Sequence, residues 1–267
     1  MKTFASLLLL VCAPLLASAA DEVPKHGLLT DKFRLSIGGF YAESQTEARL
    51  STSTGGAGID VNFEDTLGLE SRKLVGEFAM YWRFAEHWRV DLDYFSLKRS
   101  ASRALSADVT WGGNTYTAGT VVNSQFKVSD LRVALGYSFF RRTDKELGVG
   151  VGLHSLALSA AIDAAGIGAK AESVTAPLPF VSLYGNFALT DTWALSARAD
   201  WLSLAYDKYS GGIRATAIDI VYQPFKSVAF GVGLHTLTFK VGVDNPNSNL
   251  QARMTLQGPA AFMSYSF

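Results

Sequence analysis

The sequence predicts an all-β chain folded as an up-and-down antiparallel barrel that spans a membrane. Ten strands is the count its segments support, with eight or twelve as the alternatives. Three observations carry this. From residue 33 onward apolar residues recur with period 2, and no run of about 18 apolar residues could form a spanning helix. The less apolar face of those strands carries full charges of both signs. Connections alternate between tight turns and longer polar or glycine-rich loops.

The strands are expected to begin after a processed N-terminus. Lys2 gives a basic leader, 4–16 is an apolar run, and Ala17, Ser18, Ala19 and Ala20 are small residues before Asp21. That pattern is a secretory signal peptide over 1–20, too short to span as a helix. Cys12 is the only cysteine and lies in the apolar run, so the mature chain is expected to lack disulfides and thiol chemistry. Leu10 and Val11 precede it where a lipoprotein would need small residues. Residues 21–32 hold a proline and several charges without periodicity and are expected to form a periplasmic lead-in, leaving 33–267 as one barrel domain. Of the 267 residues, 24 are basic and 24 acidic, so no strong net field points to nucleic acid.

The first strand, from 33 to about 51, is the least regular. Its apolar phase slips near Gly38 and Gly39, where a bulge is expected. Segment 72–84 is clear, with Leu74, Phe78, Met80, Trp82 and Phe84 on one face and Lys73, Glu77, Tyr81 and Arg83 on the other. After a three-residue turn, Trp88, Val90, Leu92 and Tyr94 oppose Arg89, Asp91 and Asp93. Leu131, Val133, Leu135 and Tyr137 oppose Asp130 and Arg132, and Leu147, Val149, Val151 and Leu153 oppose three glycines and His154. Val181, Leu183 and Phe187 face away from Ser182 and Asn186; Trp193, Leu195 and Trp201 from Arg198 and Asp200. Ile218, Ile220 and Tyr222 oppose Asp219, and Phe230, Val232 and Leu234 oppose His235. The last strand, from about 250, ends on Ala261, Met263, Tyr265 and Phe267 in one apolar row.

Tight turns fall at 85–87, 141–146, 190–192 and 223–227, and longer loops at 54–71, 111–120, 164–171, 207–212 and 244–249. An even count puts both termini on the tight-turn side. Trp82, Trp88, Trp193, Tyr265 and Phe267 flank that side and would form an aromatic girdle. A soluble sandwich also alternates, but no dry core would accept Arg83, Arg89, Asp91, Asp93, Asp130, Arg132, Arg198, Asp200, Asp219 and Glu77 unpaired. Charges inside and apolar residues outside explain them.

The girdle, the loop asymmetry and the Phe267 ending resemble the small Gram-negative outer-membrane β-barrel class that includes OmpA-type, OmpW-type and opacity-type proteins. The resemblance implies location in the outer membrane, contact with outer-membrane lipid and lipopolysaccharide, and a C-terminal strand read by the barrel assembly machinery. No functional residue transfers from a particular family.

Chemistry is sparse. The stretch G-V-G-L-H occurs at 150–154 and 231–235, but a phosphate loop needs a strand-to-helix turn, and these glycines run along strands. They are expected to make room for large neighbours in a narrow lumen. His154 and His235 are the enzyme candidates. Lipid A deacylases place His and Ser two apart on one strand, whereas here Ser155 and Thr236 immediately follow the histidines and face the opposite way. Omptin proteases use the extracellular rim, whereas these histidines are expected within the lumen. The acidic loop with Asp60, Asn62, Glu64, Asp65 and Glu70 lacks calcium-loop spacing and is expected to be a solvated loop folded onto the rim. No metal or other cofactor is expected. The hairpin from 97 to 126 exceeds a spanning length and is expected to project above the membrane. The expected function is a non-enzymatic structural or surface-interaction protein with a charged, filled lumen. The alternatives are a narrow channel for small or apolar solutes, and a lipid-modifying enzyme or protease.

Overall fold

The computed structural model describes residues 25–52, 59–111, 114–206, 209–245 and 248–267; the signal-peptide expectation and 54–58 of the first long loop lie outside them. Ten strands form the barrel: β1 (Phe33–Thr52), β2 (Arg72–Arg83), β3 (Trp88–Ala104), β4 (Val121–Arg141), β5 (Lys145–Ala164), β6 (Gly168–Ala188), β7 (Trp193–Tyr206), β8 (Tyr209–Phe225), β9 (Val228–Asn245) and β10 (Ser248–Ser266). Each pairs antiparallel with its sequence neighbour, and β10 closes on β1 from Arg34–Ser266 to Thr52–Ser248. Closure pairs the first strand with the last, so neither is left as the free edge of an open sheet. A short strand, Ile59–Asn62, adds to β1, and Val109–Trp111 pairs with Asn114–Tyr116 as a separate hairpin.

The outward face carries an apolar band that includes Ile37, Phe78, Leu131, Leu135, Val151, Leu183, Ile220, Val232 and Met263, all exposed. At the tight-turn end it is edged by stacked aromatics: Trp88 on Tyr137 at 5.0 Å, Trp193 on Tyr222 at 4.5 Å, and Tyr265 on Phe267 at 4.8 Å. Phe267 also meets Phe33 at 5.7 Å across the closing seam. Tyr41, Tyr94 and Trp201 are exposed toward the other edge of the band.

Above that edge the polarity of the wall reverses. Along β4, Asp130 and Arg132 face inward beneath inward Val128, Phe126 and Val122, while Ser129, Lys127 and Gln125 take over the outer face. On β9, His235 gives way to inward Leu237, Phe239 and Val241; on β10, Met254 and Leu256 are buried. The upper barrel therefore encloses a largely apolar core, each large side chain contributing about 1.5–3 kcal/mol by leaving water. This reversal corrects the expected bulge in β1. Pairing of β1 with β2 and β10 keeps one constant register through Gly38 and Gly39. The apolar residues change sides, from Ile37 outside to Phe40 and Ala42 inside, because the surroundings change. Register shifts occur instead at the tight-turn end, between Tyr137 and Phe140 and between Tyr222 and Phe225.

Both mouths are filled. The first long loop does not merely lie on the rim: Val61, Phe63, Leu67 and Leu69 are buried in the upper core, with Phe63 edge-on to Phe126 at 5.4 Å. Arg99, fully buried, holds this loop by donating to Glu64, to the Glu70 carbonyl at 3.2 Å and to Thr46 Oγ1 at 2.6 Å. The tip of the projecting β3–β4 hairpin folds back, and Tyr116 is buried against Ile162 and Gly168. At the other end the lead-in forms a one-turn helix, Gly27–Thr30, with Leu28 and Leu29 buried. His26 caps it by accepting from the Leu28 N–H at 3.0 Å, and the Arg141 guanidinium donates to the Leu29 carbonyl at 3.0 Å.

Among the described residues, two stretches of wall lack a ladder: between β2 and β3 pairing stops at Glu77–Phe95, and the other gap lies between β6 and β7. Pairing of β6 with β7 stops at Val181–Trp201, and the next residues along β6 include Pro179 and Pro177, which have no N–H to give. The β5–β6 ladder continues unbroken to Gly168. The β6–β7 gap is closed by side chains, Leu178 packing where Gly211 of β8 leaves room.

Candidate functional site: an ion-paired lumen

Every charge predicted for the lumen points inward, and register decides which ones meet. Asp93 of β3 lies opposite Arg132 of β4, and Arg132 opposite His154 of β5. Arg132 grips Asp200 of β7 with two N–H groups, Nε at 2.6 Å and Nη2 at 3.2 Å, and gives Nη1 to Asp93 at 2.9 Å. Arg198 donates to the same Asp93 oxygen at 3.0 Å, and Ser182 donates to Asp200 at 2.5 Å. His154 places Nδ1 2.7 Å from Asp130 and Nε2 3.8 Å from Asp200, with the Phe180 ring 4.8 Å away. Five consecutive strands are tied across the lumen by this cluster.

A second cluster lies nearer the tight turns. Glu146 is fully buried and accepts from Arg83 at 2.7 Å, from Asn186 at 3.1 Å and from Ser138. Arg89 donates to Asp91 at 3.0 Å and stacks 3.4 Å over the Tyr184 ring. Arg34, Arg83 and Arg89 all approach the Tyr81 ring. On the opposite wall, His235 of β9 lies between Asp219 of β8 at 3.0 Å and Glu77 of β2 at 3.5 Å, reaching past two intervening strands. A cavity of about 220 Å³ separates the two walls. Among the described residues, His154 Nε2, Asp130 Oδ1 and Tyr81 Oη face no hydrogen-bond partner.

The lumen glycines do what their pattern predicts. A Cβ at Gly148 would fall 2.1 Å from the Tyr184 ring, at Gly231 2.0 Å from Phe262, and at Gly152 2.5 Å from Phe180. Ser155 and Thr236 lie on the other face from their histidines, and the nearest side chains to both imidazoles are carboxylates, not hydroxyls. Outside the strands, burial pushes His26 below its ordinary value; its Nε2 faces the Thr192 carbonyl at 3.3 Å.

Four participants escaped sequence reasoning. Arg34 was hidden by the irregular phase of β1, and Glu146 by its assignment to a turn. Tyr184 and Arg99 were not singled out, because their partners lie on strands and loops far away in the chain.

No protein-family model matches the sequence, and no curated protein is similar to it. The outer membrane protease OmpT from Escherichia coli superposes with a TM-score of 0.60 over 89% of this chain and 97% of that one, at 10% identity. The fold is that of the outer-membrane β-barrels. At that identity the likeness covers architecture alone. Two further barrels, the attachment invasion locus protein Ail of Yersinia pestis (TM-score 0.36, 10% identity, covering 86% and 99%) and the toluene transporter TodX of Pseudomonas putida (0.34, 10%, 89% and 90%), are too distant in shape to add to it.

Proposed function

We propose that this chain is an integral outer-membrane barrel with a closed lumen, serving a structural or surface-interaction role through the part that stands above the membrane. Three observations support this reading: the His26–Leu29 segment inside the tight-turn end, the ion-paired clusters that line the central cavity of about 220 Å³, and the apolar core with its folded-in loop above. A solute entering from outside would have to displace Phe63, Leu67, Phe126 and Phe239 before reaching a charged group. The same seal stands between the histidines and any peptide or lipid, which favours a non-enzymatic reading. The parts free to meet a partner are the outer faces of the upper strands, since strands of up to 21 residues exceed the roughly 9–11 needed to span.

Purified barrel in a planar bilayer is the test. Conductance should stay at baseline, while an unboiled sample migrates as a compact form in sodium dodecyl sulfate and shifts on heating. Stable open-channel currents from a heat-modifiable barrel would overturn the closed-lumen reading in favour of a conduit.

A further inference from the structure

Register places like charges opposite one another at three positions among the described residues: Arg83–Arg89, Lys240–Arg253 and Lys98–Lys127. Directly opposed like charges destabilise a ladder unless something compensates. The first pair points inward and is compensated by Glu146 and Asp91. In the second, Arg253 has Glu47 opposite it on its other side. The third has no such relief. The Lys98 and Lys127 side chains are exposed on the outer wall and make no ion pair or hydrogen bond with any described residue, and the next strand offers Ser159 opposite Lys127.

Their height supplies the missing anion. Climbing the β3–β4 ladder, the last outward pair of the apolar band is Tyr94–Leu131, the next is Ser96–Ser129, and the next is Lys98–Lys127. Successive outward rows are about 7 Å apart, because a strand rises roughly 3.4 Å per residue. Apolar, hydroxyl and cationic rows in that order follow a lipid from acyl chain through its ester or sugar region to its phosphate, and a lysine stem can lean down toward the apolar row.

We propose that Lys98 and Lys127 form a two-ammonium seat for the phosphate of a phosphorylated lipid lying against the β3–β4 face. This rests on the membrane-spanning reading above and adds to it a position and a headgroup chemistry.

The test is native mass spectrometry of the full barrel in detergent, titrated with diphosphoryl lipid A, with phosphatidylcholine, and with diphosphoryl lipid A in the presence of inorganic phosphate. The barrel should retain diphosphoryl lipid A in preference to phosphatidylcholine, and millimolar phosphate should not displace it. Lys98→Gln with Lys127→Gln should weaken that binding about 30-fold, five- to sixfold for each ammonium removed near a membrane surface. Lys240→Gln with Arg253→Gln should change it by no more than about twofold, since Glu47 already sits beside that pair. Equal loss in both double variants, an unchanged Lys98/Lys127 variant, or complete competition by free phosphate would each overturn the seat. Insertion of the same proteins into phosphatidylcholine vesicles, read by the heat-dependent mobility shift, separates the two readings. A barrel that inserts but does not select the phosphorylated lipid refutes only the seat, whereas failure to insert refutes both.

Discussion

At the scale of single residues the decisive contacts are buried ion pairs. Such a pair is weak evidence of net stability, because desolvating both partners offsets most of their attraction, but removing one partner leaves a bare charge behind. Arg132→Met should therefore lower unfolding stability in detergent by about 3–5 kcal/mol, as Asp200 and Asp93 lose their shared guanidinium. An unchanged urea midpoint would mean that Arg198 alone compensates both. His26 behaves differently. Its Nδ1 must be unprotonated to accept from Leu28, and burial favours the neutral ring, so its folded pKa is depressed. The stability it lends to the lower seal is complete above the ordinary histidine value of about 6.5 and is lost as pH falls through the lowered one. Amide exchange at Leu28 and Leu29, corrected for intrinsic rate, should rise between pH 7.5 and 5. His26→Gln should flatten that dependence.

At the scale of elements, the long strands β4, β9 and β10 have two parts. The lower part places apolar residues outward and polar or charged ones inward, and the upper part turns large apolar residues inward. Alternation was legible in all but the first strand, and so were all ten strand positions and the inward set from Glu77 to Asp219. The reversal was not, because period 2 reports which residues share a face without saying whether that face meets water, lipid or protein. That is why the change from Ile37 to Phe40 read as a bulge. The glycines belong to this scale too. Gly231→Val would drive a side chain into Phe262 and should cost about 1–3 kcal/mol, with lower refolding yield into detergent. The paired variant Gly231→Val with Phe262→Leu should recover part of it.

At the scale of the whole molecule, the barrel is one ring whose last ladder joins its ends. Phe267 donates its N–H to the Phe33 carbonyl at 2.9 Å and packs on Phe33 and Tyr265. Deleting Phe267 should lower the yield of assembled barrel in the outer membrane far more than it changes the melting of barrels that do assemble. Equal yields of the two would argue against a role of the ending in assembly.

The sequence by itself determined the architecture: period-2 alternation with charges on one face favours a barrel turned inside out over a soluble sandwich, and the even strand count puts both termini on the tight-turn side. It also named most of the lumen charges, since inward direction follows from strand parity alone. Only the tertiary structure decided which charges pair, that Arg132 bridges Asp93 and Asp200, that His235 reaches Glu77 over two intervening strands, and that the lead-in helix and the first long loop bury apolar side chains at the two ends. Those facts depend on register, shear and the return of loops across the ring, and they join residues far apart in the chain that no local pattern connects.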